Sequence, residues 1–206
     1  DLFWNYGNQW YEYTLSNVVV QSNINTFGSL AMAGIGTYTK IEGFAFLPIT
    51  SFMMALTTFV SQNRGAREFD RARKGAHFGL TCSVSLAEVI GLLIALFAEP
   101  LMRLFVNDPQ VIQYGIERAH YATILFFLLA YSHGVSAVLR GVGKSVVPMI
   151  VMLVCWCFVR VTLLTALNMM FHNIIFVYMI YPFTWALSSV VFFLYYRKIN
   201  WQEYKG

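Results

Sequence analysis

Charge is what this sequence has least of. Asp, Glu, Lys and Arg make up 12% of its 206 residues, whereas 58% are apolar and the mean hydropathy is +0.58. A soluble domain carries about 25% charged residues, and so little charge cannot cover a water-facing surface at this length. The solvent is therefore lipid. Cysteine is also scarce. Cys82, Cys155 and Cys157 all fall within apolar segments with no C-x-x-C spacing, which excludes a disulfide framework or a zinc site and makes them small core residues. Enzyme motifs are lacking as well: there is no G-x-S-x-G, no H-E-x-x-H, and no pair of carboxylates on one helix face. These absences exclude an intramembrane enzyme. Gly141 to Ser145 reads G-V-G-K-S like the end of a phosphate-binding loop, but the first glycine and a preceding strand are missing. The +4 net charge and pI near 9.0 come without an interleaved Arg and aromatic face, so no nucleic-acid partner is expected. Asp1 to Tyr13 has neither the basic start nor the apolar run of a signal peptide, which leaves membrane insertion to the spans themselves.

What the sequence does have is long apolar runs. A bilayer core takes about 20 mostly apolar helical residues, and six segments qualify: Tyr13 to Tyr38, Ile41 to Ser61, Ala76 to Ala98, Ile112 to Leu139, Val146 to Leu167 and Ile174 to Tyr196. The expected fold is an all-α polytopic membrane protein, with an interfacial segment over 1–12, six helices over 13–196 and a tail over 197–206. Pro48 and Pro182 lie inside spans and predict kinks whose freed carbonyls find partners on neighbouring helices or hydroxyls. Basic residues orient the chain. Ten of the fourteen fall in the second-to-third connection, the fourth-to-fifth connection and the C-terminal tail, and five of those ten lie between Gln62 and Gly75. Only Lys40, Arg103 and Arg118 are assigned to the opposite side. This asymmetry predicts that both termini are cytoplasmic. Trp4, Trp10, Tyr195, Tyr196 and Trp201 flank the cytoplasmic ends, where amphipathic rings prefer the interface.

Several spans carry polar residues at helical spacing. Asn17, Gln21, Asn25 and Ser29 recur every four residues along the first span, and residues so spaced share a helix face. Such a stripe either bonds helices together or lines a cavity, and amides over this length favour the cavity. The second span adds Thr50 and its neighbouring hydroxyls around Pro48, with Glu42 near the outer end. A broken helix bordered by hydroxyls is a recurrent way to build a transport site. Tyr131 and His133 project from the fourth span, and Tyr178, Tyr181, Trp185 and Ser188 share one face of the sixth. Beside a polar cavity, Tyr and Trp are suited to hold an organic cation. Charges inside hydrocarbon are costly. Glu88 and Arg160 lie at similar depth, roughly 18 to 21 Å from the cytoplasmic side at 1.5 Å per residue. They are expected to pair as a structural tie, or each to find another polar partner.

Three motifs carry a resemblance to a known family. The run N-x-F-G-S-L-A-M-A-G from Asn25 to Gly34, Q-N-R-G-A at Gln62 to Ala66 with the following D-R-A-R-K-G, and L-R-G-V-G-K-S-V-V-P-M from Leu139 to Met149 together resemble the MATE (multidrug and toxic compound extrusion) transporters. The resemblance covers nearly all of the chain after about Tyr13, and it implies the C-terminal six-helix lobe of a twelve-helix bacterial-type antiporter. Such a transporter exports small organic cations or amphiphiles in exchange for sodium ions or protons, from the bacterial inner membrane. It implies no resident cofactor or metal, and its partners are membrane lipid and the other six-helix lobe, on the same polypeptide or supplied by a second copy. The helices matching the first, second and fourth spans would line the cavity. One departure stands out. Some members carry ion-site carboxylates midway along the helices matching the first and fourth spans, but here Glu12 and Glu117 lie near their ends and Gln21, Asn25, Tyr131 and His133 occupy the interior. Coupling then falls first to the lobe outside this chain and second to Glu42. The alternatives are a lipid-linked oligosaccharide flippase of the same superfamily, and a non-transporting membrane scaffold.

Overall fold

The computed structural model describes residues 18–201, and among them every regular element is helical. Helix α1 is described over 18–25. It is followed by α2 (Ser29–Gly65), α3 (Phe69–Leu96), the short α4 (Ala98–Arg103), α5 (Pro109–Thr123) and α6 (Phe126–Gly141). A last pair completes the lobe: α7 (Val146–Met152) runs through a π-helical turn at Leu153–Val159 into α8 (Arg160–Phe171), and α9 (Ile174–Arg197) returns. Four helices are long and apolar enough to cross a membrane: α2, α3, the continuous Val146–Phe171 run and α9. The bent pair α5 and α6, which meet at 55°, makes a fifth if counted as one span.

The first break is not where the apolar runs place it. No connection separates Tyr38 from Ile41, because α2 runs unbroken for 37 residues. That is about 55 Å at 1.5 Å per residue, well beyond a ~30 Å hydrocarbon core. Thr37 and Thr39 return their hydroxyls to Ala33 O and Ile35 O, so nothing there competes with the helix. The chain breaks instead at Thr26 to Gly28. Gly28 sits at φ 96, a conformation that side chains disfavour, and Thr26 Oγ1 donates to Asn23 O at 2.7 Å. The fourth expected span is likewise two helices, α5 and α6.

Local chemistry explains the other ends. Asp108 caps α5 by accepting from Gln110 N at 2.8 Å, with Pro109 in the first turn. Asn173 caps α9 through Ile175 N. At the far ends of α2 and α6 the two family motifs close helices in the same way. Glu68 N bonds back to Asn63 O and Arg67 N to Arg64 O; Lys144 N bonds to Leu139 O and Gly143 N to Arg140 O. These are paired Schellman closures, with Arg67 (φ 61) and Gly143 (φ 82) in the left-handed position. Gly141 in the second motif has another task, since a Cβ there would stand 3.0 Å from Thr57 O. That close approach lets Arg64 donate to Val142 O and Thr57 Oγ1 to Ala137 O at 3.2 Å, which ties α2 to α6.

The core forms three contiguous apolar clusters. In the largest, Tyr38, Ile41, Ala45 and Ile49 of α2 pack against α3, α5 and α6. α1 closes the end near Gly28, with Val20 and Ile24 against Leu164, Val177 and Tyr178.

Candidate functional site

Pro182 starts the chain of contacts that builds the site. Lacking an N–H, it leaves the carbonyl four residues earlier, Tyr178 O, without its helical donor. Arg118 of α5 reaches across and donates to Tyr178 O from Nη1 at 3.0 Å, as expected for a kink satisfied by a neighbouring helix. Arg118 is only 2% exposed, so it belongs to the interior and not to a surface connection. Its position on the buried side of α5 was legible from Gly115, Ala119 and Ala122, which make one face of that helix small. The guanidinium carbon stands 4.0 Å from the Tyr181 ring centroid and 5.6 Å from that of Tyr38. Arg160, at the start of α8 and also 2% exposed, approaches the same Tyr181 ring at 4.5 Å and Trp156 at 5.3 Å. Glu42 of α2 lies within electrostatic reach of both arginines but accepts no hydrogen bond among the described residues. The result is a charge cluster drawn from α2, α5 and α8 around the Tyr181 ring of α9.

Glu88 and Arg160 do not pair; each has a different polar partner. Arg160 donates to Thr184 Oγ1, at 2.8 Å from Nη2 and 3.3 Å from Nε. Glu88 accepts from Phe127 N at 3.1 Å, the amide at the start of α6 that the break at Ile124 and Leu125 leaves without a helical acceptor. A carboxylate of α3 thus caps the bent pair from outside. Gly91, one turn on, permits this approach, since a Cβ there would meet Thr123 O at 2.3 Å.

His133 joins the cluster through aromatic contacts. Its ring lies 4.9 Å from both Phe46 and Trp156, edge-on, and neither ring nitrogen has a hydrogen-bond partner among the described residues. Beside it, Ser132 bonds Ser188 at 2.9 Å and Ser189 at 2.8 Å, and Trp156 Nε1 donates to Ser188 at 3.1 Å. Tyr131 opens on a different space, which Ser189 borders too. It lines an apolar groove of about 360 Å³ with Val84, Phe127, Leu128 and Phe193 on the side formed by α3, α6 and α9.

The amide stripe divides. Gln21 and Asn25 are exposed and bond one another at 3.3 Å; Ser29 is exposed beyond the break, and Asn17 lies outside the described residues. Thr50 spends its hydroxyl within its own helix, on Leu47 O at 2.8 Å. The amide that bonds helices together is one the four-residue spacing passes over. Asn23 is buried, donates to Thr165 Oγ1 at 3.4 Å and accepts from Asn168 Nδ2 at 3.1 Å; Asn168 also reaches Thr26 at 3.2 Å.

This helical lobe has clear relatives. The family profile described as MatE matches residues 11–165. The chain belongs to the MATE family. A probable multidrug resistance protein, YoeA of Bacillus subtilis (strain 168), is 26% identical over 192 residues, which cover 92% of this chain and 41% of that protein. The probable multidrug resistance protein NorM of Thermotoga maritima is 30% identical over 124 residues, 60% of this chain and 27% of its own length. Among solved structures, a MOP superfamily transporter from Pyrococcus furiosus Vc1 (DSM3638) shares the fold with a TM-score of 0.85 at 15% identity, over 94% of this chain and 43% of that one. The chain spans less than half the length of the relatives it matches, and it fits one lobe of a MATE transporter. The family consists of membrane transporters, not enzymes.

Proposed function

We propose that this chain is the C-terminal six-helix lobe of a secondary antiporter that exports cationic or amphiphilic organic compounds in exchange for sodium ions or protons. It sits in a bacterial-type inner membrane with both termini cytoplasmic, and the basic asymmetry between connections supports that orientation. The observation that carries the reading is a polar face left uncovered on an otherwise apolar lobe. Gln21, Asn25 and Ser29 at the α1–α2 junction, and Ser51, Thr58 and Ser61 along α2, are all exposed. Amides and hydroxyls facing hydrocarbon would be costly, so this face fits a shared aqueous cavity against a second six-helix lobe, on the same polypeptide or from a second copy. Rocking of the two lobes would alternate access, driven by an ion that binds one orientation more tightly.

A second reading, a flippase for lipid-linked sugars, is favoured by one observation: Arg118 is buried alongside Arg160, which gives the interior a more cationic character than one deep arginine would. Reconstituted vesicles separate the readings. Ethidium export should accelerate when a sodium or proton gradient is imposed and fall in Asn25→Leu and Gln21→Leu at unchanged expression. Export indifferent to both gradients sinks antiport. Loss of expression or assembly in these variants, with no export by the parent protein, would make the stripe helix-to-helix glue and support a scaffold.

A further inference from the structure

The sequence reserves the Tyr181 ring for an organic cation, but the protein's own cations already hold that ring. Arg118 and Arg160 come from different helices, each is 2% exposed, and both guanidinium carbons lie within 4.5 Å of its centroid. A third cation at this ring would meet two like charges in a medium that screens poorly. The same groups suit an anion. A guanidinium offers five N–H donors in a fixed fork, and the hydrogen bonding of Arg118 among the described residues is a single bond to Tyr178 O. Glu42 is within electrostatic reach of both arginines and is bonded to neither among the described residues. Most of the Arg118 fork is thus unspent, with a carboxylate within electrostatic reach of it.

We propose that Arg118, Tyr181 and Arg160 form a receptor for the acid group of an amphiphilic organic compound, a carboxylate, phosphate or sulfonate, and that Glu42 is the internal anion it displaces. The planar fork of Arg118 takes two acid oxygens at once, while Arg160 adds a second positive charge at the same Tyr181 ring. Tyr38 of α2 and Tyr178 of α9 complete the surroundings, with His133 of α6 behind Trp156. This inference rests on the reading of the lobe as half of a translocation path, and it narrows the compounds held there to those bearing an acid.

Equilibrium binding tests it without any ion gradient, so that failure of antiport and failure of this site are distinguishable. The purified protein in lipid nanodiscs is titrated calorimetrically with 2-naphthoate and with 2-naphthylmethylammonium, two probes of similar shape and opposite charge. Naphthoate should bind more tightly than the ammonium, about tenfold more weakly to Arg118→Gln, as for loss of one charge-assisted hydrogen bond, and more tightly to Glu42→Gln, which removes the competing anion. Arg118→Lys, which keeps charge without the fork, should fall between. If Arg118→Gln is not recovered folded, the Glu42→Gln titration decides alone. Preference for the ammonium, naphthoate affinity unchanged in Arg118→Gln, or affinity unchanged or weakened in Glu42→Gln each overturns the proposal. Gradient-driven export that persists alongside any of these would leave the antiport reading standing.

Discussion

Two positions hold the left-handed conformation for opposite reasons, and they make a matched pair of tests. Gly143 at φ 82 has no atom within 4 Å of where a Cβ would sit, so Gly143→Ala adds backbone strain and no clash. It should cost about 1 kcal/mol, read as a lower unfolding midpoint in detergent. Arg67 occupies the equivalent place after α2 at φ 61 and carries that strain already. Arg67→Gly should raise the midpoint, by less than Gly143→Ala lowers it, because glycine also loosens the unfolded chain. If both substitutions shift stability in the same direction, the common closure of the two motifs is wrong. These motifs were legible in the sequence as family marks. Their mechanics were not, because the bond from Lys144 N to Leu139 O depends on one backbone angle that the letters G-V-G-K do not disclose.

Between elements, single polar side chains do the joining. Glu88 bonds the α6 amide at Phe127, and what matters there is an acceptor, not a charge. Glu88→Gln keeps an acceptor oxygen and should unfold near the parent midpoint, whereas Glu88→Leu leaves that N–H unmet and should lose roughly 1–3 kcal/mol. Equal losses in the two variants would mean that the charge itself is needed. At the other end of the lobe, Asn168 links α8 to Asn23 and Thr26. Hydrogen bonds within membranes average about 1 kcal/mol or less, so Asn168→Ala should cost about that, and adding Asn23→Ala should cost little more. A fully additive double variant would show that the two amides act apart. The expected spans over 112–139, 146–167 and 174–196 end within a few residues of the α5 and α6 pair, of the Val146–Phe171 run and of α9, because hydropathy reports length. The sequence misplaced the first break, since Lys40 looked like a connection while the decisive event was the positive φ of Gly28. It also set Arg118 at a surface, because a basic residue near the end of an apolar run reads as a topological marker until Pro182 supplies the carbonyl it serves.

The whole lobe has two kinds of outer surface, and they should differ in access to water. On α2, Ser51 and Thr58 are exposed among Phe44 at 68% and Met54 at 66%. On the side of α3, α6 and α9, Val89, Val190 and Phe193 are exposed beside the wholly apolar groove at Tyr131. Polar groups cannot face hydrocarbon cheaply, so the first surface should be wet and covered by the second lobe, and the other should be lipid. Single cysteines report this directly. In a background with Cys82, Cys155 and Cys157 changed to Ala, Ser51→Cys and Thr58→Cys should react with a membrane-impermeant maleimide in intact vesicles, while Val89→Cys and Val190→Cys should not. The first pair should also lose reactivity when a compound fills the cavity. Labelling of Val190→Cys with protection of Ser51→Cys would place the uncovered face on α9 and move the translocation path to the opposite side of the lobe. Ser51 and Ser61 return their hydroxyls to Leu47 O and Thr58 O, each at 3.0 Å, which lowers the cost of facing lipid without removing it, so the α2 face still favours water and the labelling of Thr58→Cys is the sharper reading of the two.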